Sequence, residues 1–463
     1  MSVSHNAVRE TSPASAMDRL LAYVETRRSA TDRIEDWEAY EEELHSLFME
    51  AECEMMAEEL RRLDVDVPYV VIDGQVHYRV LRSESTYEGV AGAIRVERTL
   101  YRESGAQHAR VPMELRAGIV EGHWTPLAGK HMAWVAAHLT PGEGEELFRR
   151  FGGMNPSKSS LDRLPKALGA HWEEQREAFE AVIREGEEIP AEAVCVAASL
   201  DGVMVPLRKG EYPDKKKEGA GYREASCATV SFFDEDGERL QTHRMARMPE
   251  PGKGVLKAML TQAIQTVLQR RPDLHLVKLA DGAKDNWRYL SNDLPEGVEW
   301  VDYFHAAEHL KSAITAAYGE DTPMAEADFE KYRLILKEEP EGVDKVIRHL
   351  RYLSKRHPRR KAIRKALNYF RNNRKRMDYA EALANNLPIG SGIVEAACKT
   401  LVTQRLKRSG MRWGIDGGQA VLTFRALAQS NRFENAWRLV SQMYKKDVSL
   451  PKNVVALPVR NLA

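Results

Sequence analysis

The sequence predicts an α/β fold, and three patterns in its central part carry this prediction. Continuous apolar runs at 193–202 and 274–283 are typical of buried strands. Between them, two further apolar segments form a hairpin that turns at Asp236. Helical spacing follows at 254–269 and 284–290. The order is three strands, helix, strand, helix, strand, helix, which is the plan of an RNase H-like domain.

The charge of the chain is balanced overall but is distributed unevenly. Lysine and arginine number 68 against 69 aspartates and glutamates, so net charge excludes no class of partner. Residues 1–65 hold sixteen acids and seven bases, whereas residues 345–376 hold fourteen bases and no acid. This asymmetry favours a surface that faces nucleic acid in the second segment.

Cysteine usage and hydropathy indicate the compartment. The four cysteines lie far apart without a CxxC pair, which argues against a disulfide framework or a structural zinc site. No apolar run approaches ~20 residues, and the N-terminus has no signal-peptide core. We therefore expect a cytoplasmic protein that neither spans a membrane nor is secreted.

The N-terminal third divides into three expected regions. Residues 1–65 form an acidic helical region, which either packs on its own domain, the favoured reading, or joins protomers through residues 17–63. Residues 66–130 form a small β-rich region with a hairpin turn at Asp73 and Gly74.

Residues 131–190 form the third region and are expected to be helical. Pro141 opens one helix, and Ser157 is a suitable N-cap for the next. Helix, glycine turn and helix is the outline of a helix-turn-helix DNA-binding domain. Pro165 falls where a recognition helix should continue, so an ordinary helical hairpin remains the alternative.

The rest of the chain predicts a catalytic domain with an insertion. Its first part covers 191–310, a basic helical insertion 311–387, its second part 388–445, and a tail 446–463. Prolines predict breaks within the insertion, and one amphipathic helix at about 419–443 closes the fold.

Three carboxylates are placed where a metal could bind. Asp201 and Asp281 each follow an apolar run and precede a glycine, so we expect both at strand ends, where the sites of open α/β sheets lie. Glu395 falls in the first turn of the helix that follows Gly392. Oxygen ligands of this kind suit Mg²⁺ or Mn²⁺, and two such ions support phosphoryl transfer.

The chain resembles bacterial insertion-sequence transposases of the DDE type, in the Kra group that is distantly Mutator-like. The resemblance covers about 194–428 and is strongest in SLDGVMVP, KLADGAKDNW, VDYFHAAEHL and PIGSGIVEAACKTLVTQRLKRSGMRW. It implies that Asp201, Asp281 and Glu395 are the catalytic, metal-binding triad. The segment 101–106 departs from the family because it holds no cysteine, so a zinc site there is not expected.

The resemblance also implies supporting residues and partners. Asp302 and His305 match an Asp-x-x-His motif, and Trp413 falls where relatives keep a tryptophan after the catalytic glutamate. From its position, His305 is expected to be a hydrogen-bonded support of the Asp281 region rather than a metal ligand. The activity implied is metal-dependent cleavage of DNA ends and joining to a target duplex, without a covalent protein–DNA intermediate, by a homo-oligomer assembled on DNA.

Clustered cations are the candidate DNA contacts. In the insertion they are mixed lysines and arginines, expected on every face of its helices rather than along one face, which favours backbone binding over base reading. Lys215 to Lys217 either contact DNA or are simply exposed. The candidates are Arg359, Arg360, Lys361, Arg364 and Lys365 in the insertion, and Lys399, Arg405, Lys407 and Arg408 after the catalytic glutamate.

Two other functions stay open at this point. An RNase H-like nuclease that never joins strands would share the triad but would need no recognition of element ends. A catalytically silent DNA-binding relative would keep the fold but would have no catalytic activity.

Overall fold

The computed structural model describes residues 15–211 and 221–450. These belong to two compact units: an N-terminal unit, Met1–Ala167 with Trp437–Ala463, and a central unit, Leu168–Ala436. One unit carries a four-stranded sheet and the other a five-stranded sheet, so the chain is mixed α/β. Lys215 to Lys217, the first fourteen residues and most of the expected tail lie outside the described residues.

The elements up to the middle of the chain begin with two helices and a long hairpin. In chain order they are α1 (Ala16–Ser29), α2 (Trp37–Leu63), β1 (Tyr69–Ile72), β2 (Gln75–Gly89), β3 (Gly92–Glu103), α3 (Pro112–Ala117), α4 (Pro126–His138), α5 (Pro141–Phe151) and α6 (Lys158–Gly186). Near the other end of the chain lie α17 (Phe433–Gln442) and β9 (Val448–Ser449).

The sheet of the N-terminal unit has the order β3-β2-β1-β9. The predicted turn between β1 and β2 is confirmed, since Asp73 and Gly74 both adopt positive φ angles (53° and 77°), as a tight hairpin turn requires. The expected tail is partly wrong, because Val448 and Ser449 pair antiparallel with β1. That short strand covers an edge of the sheet that would otherwise be open.

Helix α2 packs within the N-terminal unit. Ala57 and Leu60 share a buried cluster with Tyr87 and Ile94 of the hairpin. Asp64, directly after the helix, accepts hydrogen bonds from the backbone and hydroxyl of Thr99. This arrangement supports the reading in which the acidic helices pack on their own domain, while assembly of protomers through residues 17–63 stays a prediction.

The predicted helical pair at 141–169 is present as α5 and the start of α6. Thr140 and Glu143 form a capping box that begins α5, and the Ser157 hydroxyl accepts the Ser160 N–H at the start of α6. Pro165 does not end α6, because it lies inside this helix, which is 29 residues long in all. Such a length exceeds what a short recognition helix needs, and a DNA-reading role for the pair stays a prediction.

The central unit alternates strands and helices before a helical series. Its elements are β4 (Cys195–Leu207), β5 (Gly221–Phe233), β6 (Arg239–Arg247), α7 (Gly254–Arg270), β7 (His275–Ala280), α8 (Lys284–Asn292), β8 (Val298–Val301), α9 (Tyr303–Tyr318), α10 (Pro323–Glu338), α11 (Gly342–Arg356), α12 (Lys361–Asn373), α13 (Tyr379–Ala384), α14 (Gly392–Ala397), α15 (Gln404–Leu406) and α16 (Ile415–Gln429). A π-helical segment, Cys398–Thr403, joins α14 to α15.

The sheet of the central unit has the order β6-β5-β4-β7-β8. Strands β4, β5 and β6 are antiparallel, whereas β4, β7 and β8 are parallel. The predicted succession of strands and helices is confirmed. The strand end expected at Asp201 is wrong, because β4 pairs with β5 without interruption from Cys195 to Leu207.

Several buried clusters pack against this sheet, and two of them join it to the later helices. The larger one joins β4 and α7 to the insertion helices, with Leu200, Ile264, Leu350 and Phe370 among its members. The smaller one joins β4 and β5 to the helices that follow Glu395, through residues such as Leu401. No helix in the described part of the chain is long and apolar enough to cross a membrane.

The closing helix differs from the prediction. The stretch expected as one helix at 419–443 is two helices, because α16 ends before Asn431, which adopts a positive φ of 57°. The Arg432 N–H then bonds to the Leu427 carbonyl, as in a Schellman C-cap. Asparagine tolerates this conformation better than most residues, which explains the break.

Candidate active site

Asp201 in β4 and Asp281 directly after β7 occupy equivalent positions along two neighbouring parallel strands. Ser199 of β4 pairs in parallel with Leu279 of β7, so both aspartates follow two residues beyond this pair. Asp201 is held by the Gly202 N–H, which donates to Oδ1 at 2.6 Å. Although Asp201 lies inside a strand rather than at its end, the parallel ladder with β7 stops just before it. The predicted proximity therefore arises from the register.

Asp281 is fixed by the turn that leads into α8. Its Oδ1 accepts from the Ala283 N–H at 3.1 Å and from the Asn286 amide at 3.2 Å. The Trp287 indole donates to the Asp281 carbonyl at 2.6 Å. Asp201 and Asp281 line a common cleft of about 670 Å³ that also contains Lys253.

Two glycines beside these aspartates permit close approaches. A Cβ on Gly202 would lie 2.0 Å from the Glu224 carboxylate, and one on Gly282 would lie 2.4 Å from the ring of Tyr369. The Asp-Gly pairs therefore mark crowded positions beside neighbouring side chains rather than hairpin turns.

Asp302 and His305 begin α9 directly after β8. Asp302 is fully buried; its Oδ1 accepts the His305 N–H at 2.7 Å, and its Oδ2 accepts the Ser391 N–H. The carboxylate thus caps α9 and ties it to the segment before α14. His305 Nδ1 lies 3.5 Å from Asp302 Oδ1 and 3.5 Å from Glu395 Oε1.

Glu395 lies in the first turn of α14, as predicted. The Ser391 hydroxyl donates to its Oε1 at 3.3 Å. Sequence analysis missed Ser391, which contacts both Asp302 and Glu395. The signal available was a serine at the N-cap position of a helix, where its usual role is to cap rather than to hold a carboxylate.

Burial and neighbouring groups shift the pKa values of three carboxyl groups at the site, those of Asp201, Glu395 and Asp302. Burial raises the pKa of Asp201, and the charge of Asp281 raises it further. Burial also raises the pKa of Glu395, to which the charges of Asp302 and Asp201 add. For Asp302, burial acts upward but hydrogen bonds with His305 and Ser391 prevail, so its pKa is lowered.

His305 carries the opposite charge within this group. Its bonding to the Asp302 carboxylate, helped by the charges of Asp302 and Glu395, raises the pKa of the imidazole to about 9. The ring is therefore cationic at neutral pH and offsets part of the repulsion among the carboxylates. The contact is with Asp302 and Glu395 rather than with the predicted Asp281 region.

The compact set of potential metal ligands differs from the predicted triad. Among the described residues, Asp302, His305 and Glu395 each offer one ligand atom, and these atoms lie within 4.8 Å of one another. Asp201 and Asp281 are not in this set, although the charge of Asp201 acts on Glu395. The sequence suggested Asp302 and His305 only as supports. It does not reveal that Ser391 forms hydrogen bonds with both Asp302, at the start of α9, and Glu395, in α14.

Trp413 joins the helix of Glu395 to the strand of Asp201. Its indole donates to the Leu406 carbonyl at 2.9 Å, at the end of α15. Its backbone N–H donates to Pro206 at 3.0 Å, and its carbonyl accepts from Arg208 at 2.9 Å, both close to the end of β4. The residue therefore supports the site without reaching it.

The candidate DNA contacts differ in exposure. Arg405 is a correction: it is only 2% exposed, and its guanidinium lies 5.4 Å from the centre of the Trp413 ring, so it belongs to the core. Arg408 is half-buried and donates to the Gln404 carbonyl. The other candidates are exposed: Arg359, Arg360, Lys361, Arg364, Lys365, Lys399 and Lys407.

The insertion helices keep their cations on outer faces. α11 buries Val346 and Leu350, and α12 buries Ile363 and Phe370. The expected spread of charge around every face is therefore wrong, because one side of each helix is apolar and packed.

Replacing Asp302 with alanine is expected to destabilise the protein by about 2–4 kcal/mol. The change removes a helix cap, which contributes ~1 kcal/mol, and leaves the buried Ser391 N–H without its acceptor, which costs ~1–3 kcal/mol. Chemical denaturation measures the loss. Asp302→Asn is the control, because its amide oxygen can still accept one N–H; equal stability of Asp302→Ala and wild type would contradict the prediction.

Comparison with known proteins adds a distant likeness to a solved structure. No protein-family model matches the sequence, and no curated protein matches it. Among solved structures the chain is similar to the "Drosophila P element transposase strand transfer complex", with 10% identity and a TM-score of 0.25. The likeness covers 69% of this chain and 82% of that chain.

Proposed function

We propose that the chain is a DDE transposase that cleaves the DNA ends of an insertion sequence and joins the 3′-hydroxyl to target DNA. One observation carries the proposal. Asp201 and Asp281, from distant parts of the chain, line one cleft, and the charge of Asp201 acts on Glu395, which lies beside Asp302 and His305.

The fold around these residues supports the proposal. The strand order β6-β5-β4-β7-β8, with three antiparallel strands followed by two parallel ones, fits an RNase H-like catalytic domain. The helices α10 to α13 stand between α9 and α14, where the sequence predicted an insertion. In this reading the domain runs from 191 to 310 and resumes at 388.

The carboxylates offer suitable ligands for Mg²⁺ or Mn²⁺, which prefer oxygen donors. Asp201, Asp281 and Glu395 would hold the ions, because both oxygens of Asp302 already accept backbone N–H groups. Bound ions of this kind activate the attacking hydroxyl and stabilise the leaving oxygen in phosphoryl transfer.

The surrounding residues orient the carboxylates and balance their charge. Asn286 holds Asp281, and Ser391 holds Glu395 through its hydroxyl. His305 adds a positive charge between Asp302 and Glu395. Preorganised groups of this kind cost no reorganisation when the substrate arrives.

The exposed cations of the insertion would bind the DNA backbone and add affinity without sequence information. Transposition holds two DNA ends together, so the proposal includes a homo-oligomer assembled on DNA. It also places the protein at the bacterial nucleoid.

Mn²⁺ or Mg²⁺ is expected to raise the melting temperature of the wild type by roughly a few degrees. A ligand that binds only the folded state stabilises it by ~2.7 kcal/mol at a hundredfold excess over its Kd. Thermal melting with and without metal measures this shift. Glu395→Gln should lose most of it, and an identical shift in that variant would place the metal elsewhere.

Strand cleavage and joining on DNA with the element's terminal repeats test the function itself. Cleavage with joining supports the transposase. Cleavage without joining indicates the RNase H-like nuclease, and DNA binding without either reaction indicates the silent relative.

A further inference from the structure

A large aromatic side chain is exposed at the border of the candidate active site. Phe304 stands between Asp302 and His305 in the first turn of α9, and it is 60% exposed. Its neighbour Tyr303 is only 4% exposed, and Asp302 is fully buried. The ring therefore lies on the solvent side of the group formed by Asp302, His305 and Glu395.

The ring is held in place along one side. A Cβ added to Gly390 would lie 2.8 Å from Phe304 Cε2 and 3.8 Å from Asp302 Oδ2, so ring and carboxylate border the same point. The Tyr303 ring meets it edge to face, with 5.4 Å between ring centres. These contacts orient Phe304 and leave most of its surface open.

The residues around Phe304 indicate which kind of ligand could stack on its ring. An exposed aromatic ring stacks on a nucleobase with ~1–3 kcal/mol, and every base has a suitable face. The ring borders Asp302, and His305, the next residue, lies 3.5 Å from Glu395. Glu395 is one of the groups proposed to act on a phosphodiester. A nucleotide stacked on Phe304 would keep its own phosphate within one nucleotide's reach of those groups. The exposed Lys399, one turn beyond Glu395, can contact a phosphate of the DNA backbone.

We propose that Phe304 stacks on the nucleobase next to the scissile phosphate, so that the substrate is bound with that nucleotide unstacked from its neighbour. The inference rests on the proposed function and specifies the form of the DNA at the site. Removing a base from the duplex stack costs a few kcal/mol, and a protein aromatic ring that replaces the lost stacking reduces this cost.

The test combines a protein change with a DNA change. Phe304→Ala and wild type are each titrated with terminal-repeat duplex, intact or with an abasic site next to the cleavage position. On intact DNA, Phe304→Ala should bind about tenfold more weakly, which corresponds to ~1.4 kcal/mol. On abasic DNA the two proteins should bind equally, because no base remains to be stacked.

Matched variants separate stacking from a general effect. Phe304→Trp should keep the affinity for intact DNA, and Tyr78→Ala, at a residue 55% exposed in the N-terminal unit, should change neither titration. Melting curves confirm that the variants are folded. Equal losses on intact and abasic DNA, or no loss on either, would overturn the inference. Failure of the wild type to bind or cleave this DNA would instead remove the proposed function.

Discussion

Asp201→Ala, Asp281→Ala and Glu395→Gln are each expected to reduce strand cleavage and joining by at least about 100-fold. Each change removes one proposed metal ligand, and ligand-held ions contribute several kcal/mol of transition-state stabilisation. Rates on terminal-repeat DNA under single-turnover conditions measure the loss. Retained full activity in any of the three would remove that residue from the site.

Controls must separate lost chemistry from lost structure. Asp285→Asn changes a carboxylate that lines the same cleft as Asp281 but whose side chain is 84% exposed, so its activity should match the wild type. Asp281→Asn keeps an acceptor for Ala283 and Asn286, and it should be folded yet inactive. An unfolded variant would show the same loss of activity together with a lowered melting temperature.

Replacing Arg359, Arg360, Lys361, Arg364 and Lys365 with glutamine is expected to weaken DNA binding on the order of 10²-fold at low salt. All five side chains are exposed around the start of α12. Each neutralised phosphate contributes about 0.9 to the slope of log K against log salt, so the slope should fall by up to about 4.5. Titrations of terminal-repeat and random duplexes across salt concentrations measure both effects.

The comparison between the two DNAs decides the role of the insertion. Backbone contacts predict equal losses on both. A loss confined to terminal-repeat DNA would make the insertion the sequence reader and would leave the helices at 141–169 without that role. Removing the same total charge elsewhere is the control, for which five exposed arginines of the N-terminal unit are suitable: Arg19, Arg61, Arg62, Arg95 and Arg102.

Three Asp-Gly pairs show that the residues near a turn can determine it, whereas the continuation of a strand depends on distant residues. Asp73 with Gly74 forms the predicted hairpin turn, and Gly237 likewise adopts a positive φ of 78° between β5 and β6. Gly202 instead lies within a continuous strand, against the Glu224 side chain. A turn is decided by nearby residues, but an uninterrupted strand depends on a partner strand that the local pattern does not show.

The cations after Glu395 show the same division. Lys399 and Lys407 are exposed, as a charged side chain on a helix usually is, while Arg405 is buried over Trp413. Helical spacing predicted the element, but burial of one arginine depends on which face meets the rest of the fold. A buried arginine is uncommon, so the sequence alone favoured exposure.

The sequence by itself determined the succession of strands and helices in the central sheet, the helical series before Glu395, and the carboxylates Asp201, Asp281 and Glu395 as candidates. Periodicity and residue type are local properties, and they are sufficient for those conclusions. Only the tertiary structure decided that Ser391 links Asp302 to Glu395, and that Asp302, His305 and Glu395 form the compact group. These contacts join α9 to α14 across the whole insertion, and hydrogen bonds between such distant residues leave no periodic pattern in the chain.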